Sequence, residues 1–335
     1  MNKEEIKILF VGDISKSFTK RDYDILAKYY DVKVISIPKK LSEWPGFVIK
    51  IKKLVKKHDI TFSWFAGWHS YFPVFFSKLY KKKSIVIVGG YDAAYIPEFK
   101  YGAYTKLKEK IPANYIYKNV DLAIVVEPGL KKDIIKNAHV KGENIIYIPT
   151  GHDSEFWKPE SKKENMVLTV AGADNIKRIK IKGFETFMKA AKEIKDTKFV
   201  IVGVRGIAKD YLEKRSSENI ELIEFLQKEK LVSYYQKAKV YCQLSIREGL
   251  PTALCEAMLC ECIPVGTNTT GIKTAIGENG FYTNYGDHKE TVKSIKKALE
   301  SNPDLGKKAR KRIIENFPIQ RREKELKKII SEMKK

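Results

Sequence analysis

The feature that most constrains this chain is a repeating pair: a short, mostly apolar run followed by a longer segment with helical spacing of apolar residues. Ile6 to Val11, Val32 to Ile37, Ile60 to Phe65, Ser84 to Val88 and Leu122 to Val126 are the first such runs. Segments such as Phe47-Ile51-Leu54-Val55 lie between them. A strand apolar on both faces must be covered on both faces, and the intervening helices supply the cover. The pattern therefore predicts a parallel sheet in a doubly wound α/β domain. It breaks at a stretch rich in Pro, Gly and charge, 148–165. It restarts with Met166 to Val170, Lys198 to Val202, Ile220 to Ile223, Val240 to Leu244 and Ile263 to Val265. At 335 residues the chain exceeds one ordinary core. Two such domains with a cleft between them are expected.

Hydrophobic residues at 43%, with 11% aromatic, can fill both cores and exclude a disordered chain. The net charge of +23 points to an anionic partner: nucleic acid, an anionic membrane surface or phosphorylated substrates. A Lys-rich solvated surface of the thermophile kind explains it equally well. Cys242, Cys255, Cys260 and Cys262 have no zinc-like spacing and read as small apolar residues, reduced in a cytoplasmic protein. Met1-Asn2-Lys3-Glu4-Glu5 leads straight toward a strand, which predicts no signal peptide. No apolar run approaches the roughly 18 residues of a spanning helix.

One segment carries chemistry: Ser245-Ile246-Arg247-Glu248-Gly249-Leu250-Pro251-Thr252-Ala253-Leu254-Cys255-Glu256-Ala257-Met258. It follows a strand candidate and runs into a helix from about Pro251. The amides of a helix start suit a phosphate. A carboxylate on either side can accept hydrogen bonds from sugar hydroxyls. Two Glu at this spacing also arise by chance, and a Glu in a first helical turn is ordinary dipole compensation.

The segment resembles the E-x7-E motif of retaining glycosyltransferases of the GT-B fold, family GT4. Val240-Tyr241-Cys242-Gln243-Leu244-Ser245, Ile263-Pro264-Val265 and Thr270-Gly271 are similar to the family in its order. So is Ile148-Pro149-Thr150-Gly151-His152-Asp153-Ser154-Glu155-Phe156-Trp157-Lys158-Pro159, which resembles its linker. The resemblance is strongest over residues 144 to 282. It implies an α/β GT-B fold: residues 1–155 as an acceptor-side Rossmann-like domain and 156–317 as the nucleotide-sugar domain. Residues 318–335 would form a helix crossing back to the first domain. That helix, from Ile319, has apolar residues at Leu326, Ile329, Ile330 and Met333; a frayed or membrane-touching basic tail is the other reading.

The resemblance also implies roles. Glu256 would hold the ribose and Glu248 the donor sugar, with the stretch Gly249, Leu250, Pro251 and Thr252 and the amides around it near sugar and phosphate. Lys182, in Lys182-Gly183, would stabilise the leaving diphosphate. Ala173 stands where the family has its first basic residue, and Arg178 or Lys177 could supply the charge. Without a metal, that charge must come from Lys or Arg. Gly12 opens a loop that in the family lies near donor phosphates and acceptor; a plain strand-to-helix turn is as good a reading. Gly203 would lie near the base, and Arg205 is a weak phosphate or base candidate. Gly89 stands where many relatives have a His beside the reacting sugar. Asp92 reads equally as a helix N-cap or a site residue. His69 reads as structural before it reads as part of an acceptor pocket.

The expected protein is thus a retaining, metal-independent glycosyltransferase without a cofactor. It would move a hexose-type sugar from a UDP- or GDP-linked donor to a carbohydrate or lipid-linked acceptor. It would be cytoplasmic, with an anionic membrane surface as a partner suggested by the basic excess and by Phe99-Lys100-Tyr101-Gly102-Ala103-Tyr104-Thr105-Lys106-Leu107-Lys108. Two alternatives stay open. One is a non-catalytic sugar-nucleotide binder or epimerase of the same fold, kept alive by Gly89 and Ala173. The other is a basic nucleic-acid-binding protein, argued from charge alone and lacking any motif.

Overall fold

The structure, a computed structural model, describes residues 4–334. Residues 1–3 and 335, the outer ends of the expected first domain and last helix, lie outside the described residues, as does the start read for a leader. The chain divides into two compact units. One runs up to Thr150 and takes in the residues from Gln320 on; the other is Gly151–Ile319.

The first unit is built on strands β1 (Glu4–Val11), β2 (Tyr30–Ile35), β3 (Ile60–Trp64), β4 (Lys83–Val88), β5 (Leu122–Val125) and β6 (Ile145–Tyr147). Helices α1 (Ser17–Tyr29), α2 (Trp44–Val55), α3 (Trp68–Leu79), α4 (Leu107–Asn119) and α5 (Pro128–Ala138) connect them. The strand order is β2-β1-β3-β4-β5-β6, with every pairing parallel. Phe47, Ile51 and Val55 are buried on α2, as their spacing requires.

The second unit holds β7 (Glu164–Ala173), β8 (Lys198–Val204), β9 (Ile220–Ile223), β10 (Ala238–Gln243), β11 (Ile263–Thr267) and β12 (Phe281–Thr283). Its helices are α6 (Ile176–Lys182), α7 (Phe184–Glu193), α8 (Ile207–Glu213), α9 (Lys228–Lys237), α10 (Thr252–Leu259), α11 (Thr270–Ile276), α12 (His288–Glu300) and α13 (Asp304–Asn316). The order is β12-β11-β10-β7-β8-β9, again all parallel. Both units are therefore the doubly wound α/β sheets expected. The three-residue edge strands β6 and β12 escape the apolar pattern because they are too short to show it. Trp157, 2% exposed, packs edge-on to Tyr235 at 5.5 Å and anchors the start of this unit. All four cysteines are buried, and burial pushes the thiols of Cys242, Cys260 and Cys262 up.

The last helix, α14 (Ile319–Lys334), returns to the first unit and buries Arg322, Leu326 and Ile330 there. This burial sets aside the frayed-tail reading. Arg322 makes a two-pronged pair with Asp22 of α1: Nε donates to Oδ1 at 2.9 Å and Nη2 to Oδ2 at 2.6 Å. Nη1 donates to the carbonyls of Ile148 and Pro149, and Trp64 Nε1 donates to Asp22 Oδ2 at 3.0 Å. The side chains are 0% and 2% exposed. Such a pair repays its desolvation only when every donor finds an acceptor, as here. Removing one partner strands a buried charge. Arg322→Leu or Asp22→Ala is expected to cost about 3–5 kcal/mol in urea unfolding, and the double change less than the sum of the two.

Candidate functional site

In an open parallel sheet, ligands sit beyond the carboxyl ends of the strands where the winding reverses. In the second unit that place lies between β7 and β10, since β7 continues to β8 on one side and β10 to β11 on the other. The loop after β7 leads into α6, and the loop after β10 leads into α10. The β10–α10 loop carries Glu248, and Lys182 ends α6.

The β10–α10 loop is clasped from both sides. Gly183, with φ +71°, lies so close that an added Cβ would stand 2.2 Å from the Leu244 carbonyl oxygen. At Gly271 an added Cβ would stand 1.2 Å from the Gly249 carbonyl oxygen. Only backbone fits at either place. The clasp is fastened by Ile246 N–H donating to Ile181 O at 2.9 Å. Thr267 Oγ1 donates to Ser245 O at 2.6 Å and Thr270 Oγ1 to Glu248 O at 3.2 Å. Lys182-Gly183 and Thr270-Gly271 thus hold the backbone that presents Glu248.

The Glu248 carboxylate Oε1 accepts from Lys182 Nζ at 2.6 Å and from Gln243 Nε2 at 3.3 Å. Gln243 Nε2 also donates to Ser245 Oγ at 2.9 Å, and Tyr241 OH donates to Gln243 Oε1 at 3.2 Å. Lys182 and Glu248 are each 18% exposed, so both can be reached from solvent. Sequence reasoning missed Gln243, Tyr241 and Thr270. The signal was there: Gln243 is a polar residue, 4% exposed, inside an otherwise apolar strand.

Gly249 and Leu250 are buried. Pro251 has no N–H and offers no amide. Thr252 opens α10, and the Cys255 amide is the first to return to a carbonyl of this turn, bonding Pro251 O at 3.1 Å. The amides of Thr252, Ala253 and Leu254 are the first-turn donors that no helical carbonyl can satisfy. Glu256 lies one turn further on and is 6% exposed. Burial raises the hydroxyls of Tyr235 and Tyr241, and the Glu256 charge adds to it.

The β7–α6 loop leads into a short helix whose ends are both defined. Asn175 caps α6, its side chain accepting from Arg178 N–H at 3.0 Å, and Gly183 ends it. Lys180 and Lys182 therefore lie in the last turn, where a cation is favoured, while Lys177 and Arg178 lie in the first. Arg178 is exposed, and its Nε donates to Gly172 O at 2.9 Å, bracing the loop. Ala173 is buried at the end of β7. Gly203, with φ +106°, lets β8 approach β7, since a Cβ there would stand 2.6 Å from Ala171 O. Arg205 lies 3.8 Å from Asp174 and is largely exposed.

In the first unit the reversal falls between β1 and β3. Gly12 sits there after β1, followed by a turn in which Asp13 Oδ1 accepts from Ser15 N–H and Oγ. Beyond β3, Phe65 has φ +68°, and its ring occupies the space over Gly89: an added Cβ there would meet Phe65 Cε1 at 2.2 Å. A His at position 89 has no room while Phe65 holds this pose. Asp92 is 3% exposed and accepts from Ala66 N–H and Gly90 N–H, both at 2.9 Å. It ties the β3 and β4 loops together and caps no helix, since the next α-helix starts at Leu107. Burial raises its carboxyl to about 6. His69 is held by its Nε2 at 2.7 Å from Trp64 O, and burial lowers its basicity, which fits the structural reading.

Residues 153–318 match the family model described as Glycosyl transferases group 1. The chain is 24% identical over 250 residues, 69% of its length, to the sulfoquinovosyl transferase SQD2 of Arabidopsis thaliana. It is 29% identical over 219 residues, 62% of its length, to a Campylobacter jejuni GalNAc-alpha-(1->4)-GalNAc-alpha-(1->3)-diNAcBac-PP-undecaprenol alpha-1,4-N-acetyl-D-galactosaminyltransferase. The matches span 49% and 59% of those two proteins. Among solved structures, Anabaena Alr3699/HepE in complex with UDP superposes with a TM-score of 0.81 at 15% identity, covering 98% of this chain and all of that one. Sucrose-phosphate synthase from Thermosynechococcus elongatus gives 0.80 at 14%, covering 98% and 99%. The fold is GT-B.

The clasp makes a direct prediction. Gly271→Ala forces backbone apart and is expected to cost on the order of 3 kcal/mol in thermal or urea unfolding. Gly172→Ala, with nothing within 4 Å of the new Cβ, is expected to stay within about 0.5 kcal/mol of the native chain.

Proposed function

Because its second unit belongs to the group 1 glycosyl transferases, we propose that this chain moves a hexose-type sugar from a nucleotide-sugar to an acceptor hydroxyl with retention and without a metal. The observation that carries the reading is the Lys182–Glu248 pair at 2.6 Å, placed by two glycine contacts at the reversal point of the sheet. Complexes of the similar Anabaena protein with UDP and UDP-glucose favour a UDP-linked donor over a GDP-linked one.

In this proposal Glu256 holds the ribose and the first-turn amides of α10 face the phosphates. Glu248 takes the donor sugar's hydroxyls. Donor binding gives Lys182 a second anion, the diphosphate, beside Glu248. As the bond from the sugar's anomeric carbon to the phosphate oxygen breaks, charge builds on the diphosphate, and a fixed ammonium favours that state over the ground state. The acceptor oxygen bonds to the anomeric carbon on the face the diphosphate leaves, and its proton passes to a diphosphate oxygen. Arg178 is exposed and adjacent in sequence to this end of β7, where it can add positive charge once its brace to Gly172 is released. Gly12, Gly203 and Arg205 are proposed as shaping residues at most: Gly203 serves a close backbone approach, while Gly12 packs against the Thr19 and Phe10 side chains. No helix among the described residues is long and apolar enough to cross a membrane.

The same-fold alternative, a binder or epimerase, keeps one supporting observation: Phe65 fills the place a reacting-site His would take. The experiments separate the two. Unfolding is followed with UDP, GDP, ADP and dTDP. One nucleotide at about a hundred times its dissociation constant should add roughly 2.7 kcal/mol, and Glu256→Ala should remove that gain. Glu248→Ala and Lys182→Ala should remain folded and lower transfer by about a hundredfold or more. Nucleotide binding with no transfer to any acceptor would favour the alternative.

A further inference from the structure

A surface of the first unit remains that the donor site does not use. Trp68, Phe75 and Leu79 on α3 are 40%, 38% and 58% exposed, and Leu107 and Ile111 on α4 are 73% and 49% exposed. They recur at helical spacing on each helix. The two helices are joined beside them: the Tyr71 and Tyr115 rings lie 4.5 Å apart, and Trp68 Nε1 donates to Lys108 O at 3.0 Å. The exposed residues thus form one face. Single exposed apolar residues are ordinary, but a face of them calls for a partner.

The charge around this face is mainly positive, although Lys82 lies 3.9 Å from Asp59 and Lys83 3.9 Å from Asp121. Lys78, Lys81, Lys82 and Lys83 lie at and beyond the end of α3, and Lys106, Lys108, Lys110 and Lys118 lie along α4. Helix α3 carries no acid. The Glu109 carboxylate of α4 is engaged by Lys106 at 2.6 Å and by Tyr91 OH at 2.7 Å. A solvated face would explain the lysines but not Leu107 or Leu79. A nucleic acid would take the lysines and leave the aliphatic side chains without a role. An anionic bilayer uses both: aromatic and aliphatic side chains enter the headgroup boundary, and lysines reach the phosphates.

We propose that the α3–α4 face docks the chain on an anionic lipid surface. Helix α3 begins just past the carboxyl end of β3, and Tyr91–Glu109 fixes the start of α4 beside the loop after β4. The face runs the length of both helices, and its Trp68–Leu107 end lies at the ligand end of this sheet. An acceptor hydroxyl on a headgroup whose tail stays in the bilayer would be met there; this last clause rests on the transferase reading, and the docking does not.

The test is sedimentation of the full chain with phosphatidylcholine vesicles, with and without phosphatidylglycerol. The native chain should pellet with the anionic vesicles, release with salt, and pellet poorly with phosphatidylcholine alone. Leu107→Asp with Ile111→Asp should weaken vesicle affinity by about tenfold or more, and Leu79→Asp should weaken it independently. Both variants should unfold at the native temperature. Absence of pelleting with anionic vesicles overturns the proposal, as does pelleting that both variants retain in full. A dimer dissolved by the variants, or duplex DNA binding they abolish, without vesicle binding, would give the face to another occupant and overturn it too. Vesicle binding with no sugar transfer would remove the transferase reading and leave the docking intact.

Discussion

The second unit depends on one steric constraint: the backbone from Leu244 to Gly249 is gripped by two glycines that leave no room for a side chain. Gly183 closes on Leu244 and Gly271 on Gly249. That grip turns a loop, ordinarily the most mobile part of an α/β domain, into a fixed mount for Glu248. It also delivers Lys182 to Glu248, because Lys182 is the residue before the gripping glycine. The ion pair is thus a consequence of backbone packing, and its two members face solvent only through 18% of their surface.

How much of this could be read beforehand follows from the range of each interaction. The parallel sheets were legible because strands buried on both faces leave contiguous apolar runs such as Ile85 to Val88. Of the candidate site, Glu248, Glu256 and Lys182-Gly183 could be named from local residue type and spacing, and the structure brings Lys182 to Glu248. What could not be read was pairing across the sequence. Nothing near Arg322 announces Asp22, which lies 300 positions away. Helical spacing identified the buried stripe of α14 through Leu326 and Ile330 but took Arg322 for part of a basic tail. Nor could the ends of α6 be read, because a helix of seven residues is too short for periodicity to show them.

The first unit has its own logic. Where a His would stand, it has Gly89 under the ring of Phe65, whose backbone is in the left-handed region. A strained aromatic in that position persists only when its surroundings enforce it. The loop tie through Asp92 supplies part of that enforcement by fixing the Ala66 amide next to Phe65. The departure at Gly89 is therefore a repacked loop end.

The measurement that tests the central claim most directly is hydrogen–deuterium exchange of the full chain with and without the nucleotide that stabilises it. The account predicts slowed exchange at the first-turn amides of α10 and along the end of α6, around residues 246–255 and 178–183. A nucleotide that binds while leaving both segments unchanged would contradict the placement of the donor site at the clasped loop.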